Sequence, residues 1–188
     1  MTRFAEHVNF IASLGTVAIQ VLTLGLIVIW LVARFGKQTE TVKWAREFLA
    51  KVGSYALIGG FLVAITSVTI SLVYSNVIGF EPCELCWIQR IFLYPQAIIL
   101  GLALWKKTKD AATYCLALSI IGLLVAGYHY YGQTFNPGAL PACAAGGGVS
   151  CAVRFFVEFG YITIPLMSFT AFLFLTVCMF LRMRFEAR

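Results

Sequence analysis

Five long apolar runs dominate this chain: Asn9–Ala33, Ser54–Ile78, Ile88–Trp105, Tyr114–Tyr131 and Tyr161–Leu181. None of them contains Asp or Glu. A bilayer core roughly 30 Å thick is crossed by a helix of about 20 apolar residues. Each run is therefore a candidate transmembrane helix. The bulk figures agree. The 188 residues are 61% hydrophobic and only 12% charged, and the mean hydropathy is +0.88. Soluble domains are nearer half apolar and carry about twice that share of charge. Lipid is the solvent for most of this chain. The first run is longer than the apolar core of a secretory signal and has no small-x-small cleavage pattern near Ala33, so it reads as a retained span.

The basic residues cluster between the runs. Eleven of the fourteen Lys and Arg residues lie in Arg34–Lys51, in Lys106–Lys109 and in the tail from Arg182. If all five runs span, these segments share one side. The positive-inside rule then puts the N-terminus outside, the C-terminus in the cytoplasm, and Cys83, Cys86 and the loop 134–160 on the external face of a cell (inner) membrane. Aromatic residues at the run ends, among them Trp87, Trp105, Tyr114, Tyr131 and Tyr161, suit the lipid–water boundary. The net charge of +6 follows from this arrangement and needs no nucleic-acid partner. Within the connector Arg34–Lys51, the piece Lys43–Lys51 is helical in pattern, with Lys43, Glu47 and Lys51 at four-residue spacing. It reads either as a surface-lying piece carrying Trp44, Phe48 and Leu49 or as a solvated link. The external loop is rich in turn formers, including Gly146–Gly148, Asn136-Pro137-Gly138 and Pro141. A short surface helix is expected near Val153–Phe159, where Val153, Phe156 and Val157 share a face.

Four of the six cysteines, Cys83, Cys86, Cys143 and Cys151, fall on that external side. Cys115 and Cys178 lie near the opposite ends of their spans and read as small packing residues. An oxidising compartment favours disulfides, which groups Cys83 with Cys86 and Cys143 with Cys151. The Cys83/Cys86 pair has three readings. One is a structural disulfide, although so small a ring constrains little chain entropy. Another is half of a zinc site completed by Cys143 and Cys151. The third is a redox dithiol, for which Cys-x-x-Cys is the common spacing. The surroundings favour the third. Cys86 opens the third span, where the positive end of a helix dipole favours an anion. Arg90, four residues on, shares its face. An ionisable residue inside the membrane is a functional candidate by default; the plain alternative for Arg90 is snorkelling to the headgroups. His129 is the second intramembrane candidate, as a hydrogen-bond or proton donor. Gln89, Gln133 and Tyr94 are weaker ones.

"PCELCWIQR", "YPQAIILG", "HYYGQ", the Cys143/Cys151 pair and "GYITIP" together resemble the DsbB family of disulfide-formation membrane proteins, most closely its shorter BdbC-like members. The resemblance runs from about Ser54 to Leu181. It implies an enzyme that oxidises a DsbA-like thioredoxin-fold partner on the external face and passes the electrons to a membrane quinone, ubiquinone or menaquinone. By position, Cys83 and Cys86 would be the quinone-side pair, with Cys86 against the ring. Cys143 would receive the partner and Cys151 would complete the loop disulfide. Arg90 and His129 match the family's arginine and histidine beside the quinone, and Gln89 is grouped with them. The expected fold is an all-α membrane protein: a four-transmembrane-helix bundle (54–188) preceded by one extra N-terminal transmembrane helix with its basic connector (1–53).

The chain departs from the family pattern in three places. The first span has no counterpart. Cys143 and Cys151 enclose only seven residues, and Tyr130-Tyr131-Gly132 follow the histidine where an acidic residue is common. The nearest rival, a vitamin K epoxide reductase-like enzyme, would carry its CxxC near the end of its last span. A zinc-stabilised structural membrane protein is the rival from another class. A transporter reading is weakened by the absence of paired intramembrane charges.

Overall fold

The computed structural model describes residues 3–37, 39–108, 110–140 and 149–186. Among them the chain forms five helices: α1 (Arg3–Phe35), α2 (Glu40–Leu72), α3 (Glu84–Lys106), α4 (Ala111–Phe135) and α5 (Ile164–Glu186). All five are long and apolar enough to cross a membrane, and each expected run falls on its own helix, with only residues 161–163 of the last run lying ahead of α5. The protein is a helical membrane bundle. A π-helical turn (Val73–Ile78) extends α2, and a 3-10 turn (Pro137–Ala139) follows α4.

Helices α2, α3, α4 and α5 close a ring, each packing on its neighbours, while α1 sits outside it against α2 and α5. The most buried span is α5; it places Phe172, Leu175 and Met179 in the core with Leu57, Leu93 and Leu100. Cys115 and Cys178 pack in this core as expected. Gly122 of α4 lets the Phe172 ring close on the backbone, because a Cβ there would overlap the ring. Overpacking a tight core costs about 1–3 kcal/mol. Gly122→Val should therefore lower the unfolding midpoint in detergent by roughly 3–10 °C, read by a thermal melt.

Helix α1 runs parallel to α5 in constant register. Phe10 meets Phe159 (ring centroids 5.9 Å apart), Gln20 bonds Thr170 (3.1 Å) and Trp30 meets Phe180 (5.6 Å).

Two local expectations are corrected. The helical pattern of Lys43–Lys51 is borne out, since α1 ends at Phe35 and α2 starts at Glu40; what changes is the place of its apolar residues. Gly36 makes the tight link, where a Cβ would strike the Val32 carbonyl and Val42. Val42, Ala45 and Leu49 are buried at helical spacing, and Ala45 and Leu49 pack with Leu26, Ala33 and Leu181. Leu49 is thus core rather than membrane surface, while exposed Trp44 stacks on Phe48. The charged residues point outward, as in the exposed Lys43–Glu40 pair, so they mark where the helix leaves lipid without ending it. The second correction is that Val153–Phe159 is not a helix. Gln133 Nε2 donates to the Val153 carbonyl (2.9 Å) and the Arg154 guanidinium donates to the Gln133 carbonyl. A tight turn follows, closed by a bridge between Glu158 and Ile162, with Phe159 (φ 49°) and Gly160 (φ 78°) both left-handed. Only Phe156 of the expected face is buried.

Candidate active site

The site begins where α2 stops. The Phe80 N–H bonds the Tyr74 carbonyl (2.8 Å) across Gly79, whose φ of 85° suits a residue without Cβ. The chain then turns into α3 with Cys83 as N-cap in extended conformation. Cys86 follows in the first helical turn, where backbone N–H groups lack intrahelical acceptors and the dipole is positive.

Three sulfurs converge here. Cys83 Sγ lies 3.0 Å from Cys86 Sγ and 3.9 Å from His129 Nε2. The donor atoms of Cys83, His129 and Cys151 all lie within 4.8 Å of one another. The Cys83 thiol donates to Cys86, and this bond, reinforced by burial, pushes its pKa up to about 12. Burial is the main cause that pushes Cys151 up to about 11. In the reduced protein both are therefore thiols at neutral pH. Cys143 lies outside the described residues, as do Gly146–Gly148.

His129 holds this arrangement together. Its Nε2 is 3.0 Å from the Cys151 carbonyl and its Nδ1 is 3.0 Å from Gln89 Nε2. A carbonyl only accepts, so Nε2 carries the proton, and Nδ1 accepts from the Gln89 amide. Gln133, one turn along α4, binds the same strand of loop through Val153. These bonds fasten the Cys151 segment over Cys83. The donor set Cys83, His129 and Cys151 has the chemistry of a zinc site, but Nε2 is already committed to the Cys151 carbonyl. His129→Leu leaves the Gln89 amide unpaired in a buried place and the Cys151 carbonyl with only the longer Gln133 contact (3.5 Å), at about 1–3 kcal/mol for a stranded group. The expected outcome is a lower melting midpoint together with slower disulfide exchange between the loop and Cys83, followed by rapid acid quench and thiol alkylation.

On the other side of Cys86 opens a cavity of about 400 Å³, within the range of small-molecule sites. Cys86 is the one described cysteine that lines it; Cys83 and Cys151 instead line a small crevice with His129 and Gln133. Gln89 and Arg90 join Cys86 on the cavity wall. Arg90 is tied to α2 and to Trp87. Its Nε donates to Ser71 Oγ (3.0 Å), an Nη donates to the Ser71 carbonyl (3.0 Å), and its guanidinium lies over the Trp87 ring at 5.0 Å. Tyr94 donates to the same Ser71 hydroxyl (3.3 Å). Tyr74, 4% exposed, also lines the cavity, and its hydroxyl has no hydrogen-bond partner among the described residues. Phe80 and Phe155, stacked with centroids 4.6 Å apart, close this end. From Tyr74 the cavity follows α2 inward to Leu62, about 18 Å along the helix axis.

Sequence reasoning expected Cys83, Cys86, Gln89, Arg90, His129 and Cys151 together, and all six meet at this end of the bundle. His129 was expected beside the same pocket as Arg90; it contacts Cys83 and the Cys151 carbonyl, and the cavity wall does not include it. Ser71, Tyr74, Phe155 and Arg154 were missed as site residues. The aromatic residues around the Cys-x-x-Cys were the one visible hint.

The family model described as "DsbB: Disulfide bond formation protein DsbB" matches residues 53–182. "Probable disulfide formation protein C" of Halalkalibacterium halodurans is 39% identical over 130 residues, covering 68% of this chain and 93% of that protein. The protein of the same name in Bacillus cereus is 37% identical over 131 residues, covering 70% and 94%. "Probable disulfide formation protein" of Chlamydia caviae is 39% identical over 117 residues, covering 62% and 83%. No solved structure matches the chain significantly. A membrane bundle with a thiol cluster at one end, matched by this family along more than half its length, is an oxidoreductase of disulfide bond formation: the chain belongs to the DsbB family.

Proposed function

We propose that the protein is a thiol:quinone oxidoreductase that reoxidises a DsbA-like thioredoxin-fold partner outside the cytoplasm. The observation that carries this reading is the placement of Cys86 on the large apolar cavity, with Cys83 between it and Cys151. The cavity residues fit a quinone. A flat ring can lie against Cys86 between aromatic walls, and the unpartnered Tyr74 hydroxyl and the Arg90 guanidinium are donors for ring oxygens. When bound, the quinone supplies a two-electron, two-proton acceptor. The charge map supports a cell-membrane orientation with the cysteine end outside and the basic ends, including the C-terminus, in the cytoplasm. Residues 54–188 form the redox unit, and 1–53 add a span to it.

In this scheme the partner's thiolate attacks the Cys143–Cys151 disulfide at Cys143, forming a mixed disulfide and releasing Cys151. The partner's second thiol resolves that bond, so the partner leaves oxidised and the loop pair is left as two thiols. Cys151, once it has given up its proton, attacks Cys83 of the Cys83–Cys86 disulfide and releases Cys86 as thiolate. Cys143 displaces Cys83, which restores the loop disulfide and leaves Cys83 and Cys86 reduced. Thiol–disulfide exchange needs the attacking sulfur in reach of its target, and the His129 and Gln133 bonds to the loop hold Cys151 there. The first-turn position and Arg90 favour the departing Cys86 anion. Reoxidation of Cys83/Cys86 gives up two electrons and two protons.

The test is a cycle with purified protein in detergent, a reduced thioredoxin-fold partner and quinone. One quinone reduced for each partner disulfide formed supports the proposal. Sustained partner oxidation, beyond the two equivalents that the protein's own disulfides supply, with no quinone consumed under anaerobic conditions would overturn it.

A further inference from the structure

Helix α1 lies outside the ring of α2–α5 and outside residues 53–182 matched by the family, yet it contributes to the cavity. Ile11, Ala12, Gly15, Thr16 and Ile19 all line it. These positions fall at the three- and four-residue spacing of one helical face. Facing them across the cavity are Leu62, Thr66 and Ile70 of α2 and Met167 and Ala171 of α5. The cavity is thus lined by α1 together with α2, α3 and α5, and α1 supplies one of its walls.

The placement of α1 is anchored. Gln20 donates to Thr170 (3.1 Å) and accepts from the Tyr161 hydroxyl (3.0 Å), and Phe10 packs on Phe159. Polar bonds in an apolar medium have few competitors, so they set the rotation of a lipid-facing helix. The inward face is built of small residues at its centre, Ala12, Gly15 and Thr16. A Cβ on Gly15 would meet nothing within 4 Å, so the space beside it is open. The face carries no ionisable group; what α1 offers is shape.

We propose that α1 is a fifth wall of the acceptor site, that its Ala12–Gly15–Thr16–Ile19 face holds the first isoprenoid units of a long-tailed quinone, and that this face selects acceptors by their tails. The proposal rests on the quinone reading above. The ring end, at Cys86, Arg90 and Tyr74, is supplied by α2 and α3. The tail leaves along Ile19, Leu62 and Val63, which gives this chain a longer apolar contact than the four-helix unit alone provides.

Gly15→Leu and Gly15→Trp fill the open space with little disturbance of neighbours. Gly25 is the control: it lies on the same helix, also has nothing within 4 Å of a Cβ, and is not on the cavity wall. Dissociation constants for an isoprenyl quinone and for its tail-less ring analogue are measured by equilibrium dialysis with the full-length protein. A photoreactive group on the first isoprenoid unit gives a second readout by peptide mass mapping. The expected result is at least a tenfold weaker isoprenyl quinone affinity in Gly15→Trp and a smaller loss in Gly15→Leu. Binding of the tail-less ring should change little, Gly25→Trp should match wild type, and adducts should fall on residues 11–19. Wild-type affinity in both Gly15 variants, or adducts confined to α2–α5, would overturn the proposal. Failure of the wild-type protein to bind any quinone would instead remove the underlying reading. If Gly15→Trp does not fold, Gly15→Leu and the adduct map decide the matter.

Discussion

Cys86→Ala stops catalytic partner oxidation, with turnover falling by more than about a thousandfold, the scale expected when the reacting nucleophile itself is removed. The geometry makes this loss specific. Cys86 alone among the described cysteines borders the large cavity, and Cys83 and Cys151 border the crevice behind it. The variant keeps the loop disulfide, so it should still oxidise one equivalent of partner and then halt. Cys83→Ala should halt in the same way, since Cys83 links the loop to Cys86. Cys143→Ala and Cys151→Ala should fail even the first equivalent. Cys115→Ala and Cys178→Ala, buried in the apolar core far from any exchange partner in this scheme, should turn over normally. Partner thiols counted by mass-tagged alkylation separate these three outcomes. Sustained turnover in Cys86→Ala would contradict the scheme.

Arg90→Ala should weaken quinone affinity by about 10- to 100-fold, which is the 1.5–3 kcal/mol typical of a charged hydrogen bond. Loop exchange with the partner should continue at the wild-type rate. The side chain is braced from two sides, by the Ser71 hydroxyl and carbonyl and by the Trp87 ring, so its guanidinium is fixed before any ligand arrives. Arg90→Lys should recover only part of the loss, because an ammonium cannot reproduce the planar fork. The readouts are KM for quinone in the full cycle and the two-equivalent partner oxidation that the protein's own disulfides give without quinone. An unchanged KM would leave Arg90 as a brace between α2 and α3.

Much of this architecture was legible in the residues. Lipid requires about 20 apolar residues per span, so the five helices stand out as runs. The cysteine cluster was legible because the spacing of Cys83, Cys86 and Arg90 has meaning once a helix starts there. Other features depend on contacts that no local pattern encodes. The helical pattern of the early turns of α2 was legible but their burial was hidden, because Val42, Ala45 and Leu49 are spaced among lysines and glutamates and are covered only once α1 and α5 are in place. The loop after Cys151 was read as helical from one apolar face, whereas side chains of α4 and Arg154 tie its backbone into an irregular path. The role of Ser71 depends on where α3 sends Arg90. Tyr74 is turned inward within a π-helical stretch, where one extra residue per turn shifts the helical face. His129 could be placed near the cysteines by depth, but not assigned to the loop side of them.

The central claim is that a dithiol at Cys83 and Cys86 hands its electrons to an acceptor in the adjoining cavity, and the most direct measurement needs no partner. Fully reduced protein is mixed anaerobically with quinone in a stopped-flow cell, and quinone absorbance and free thiols are followed together. The account predicts one quinone reduced for each Cys83–Cys86 disulfide that forms, in a phase absent from Cys86→Ala. Thiols that stay free beside unreduced quinone, or an equal phase in that variant, would contradict it.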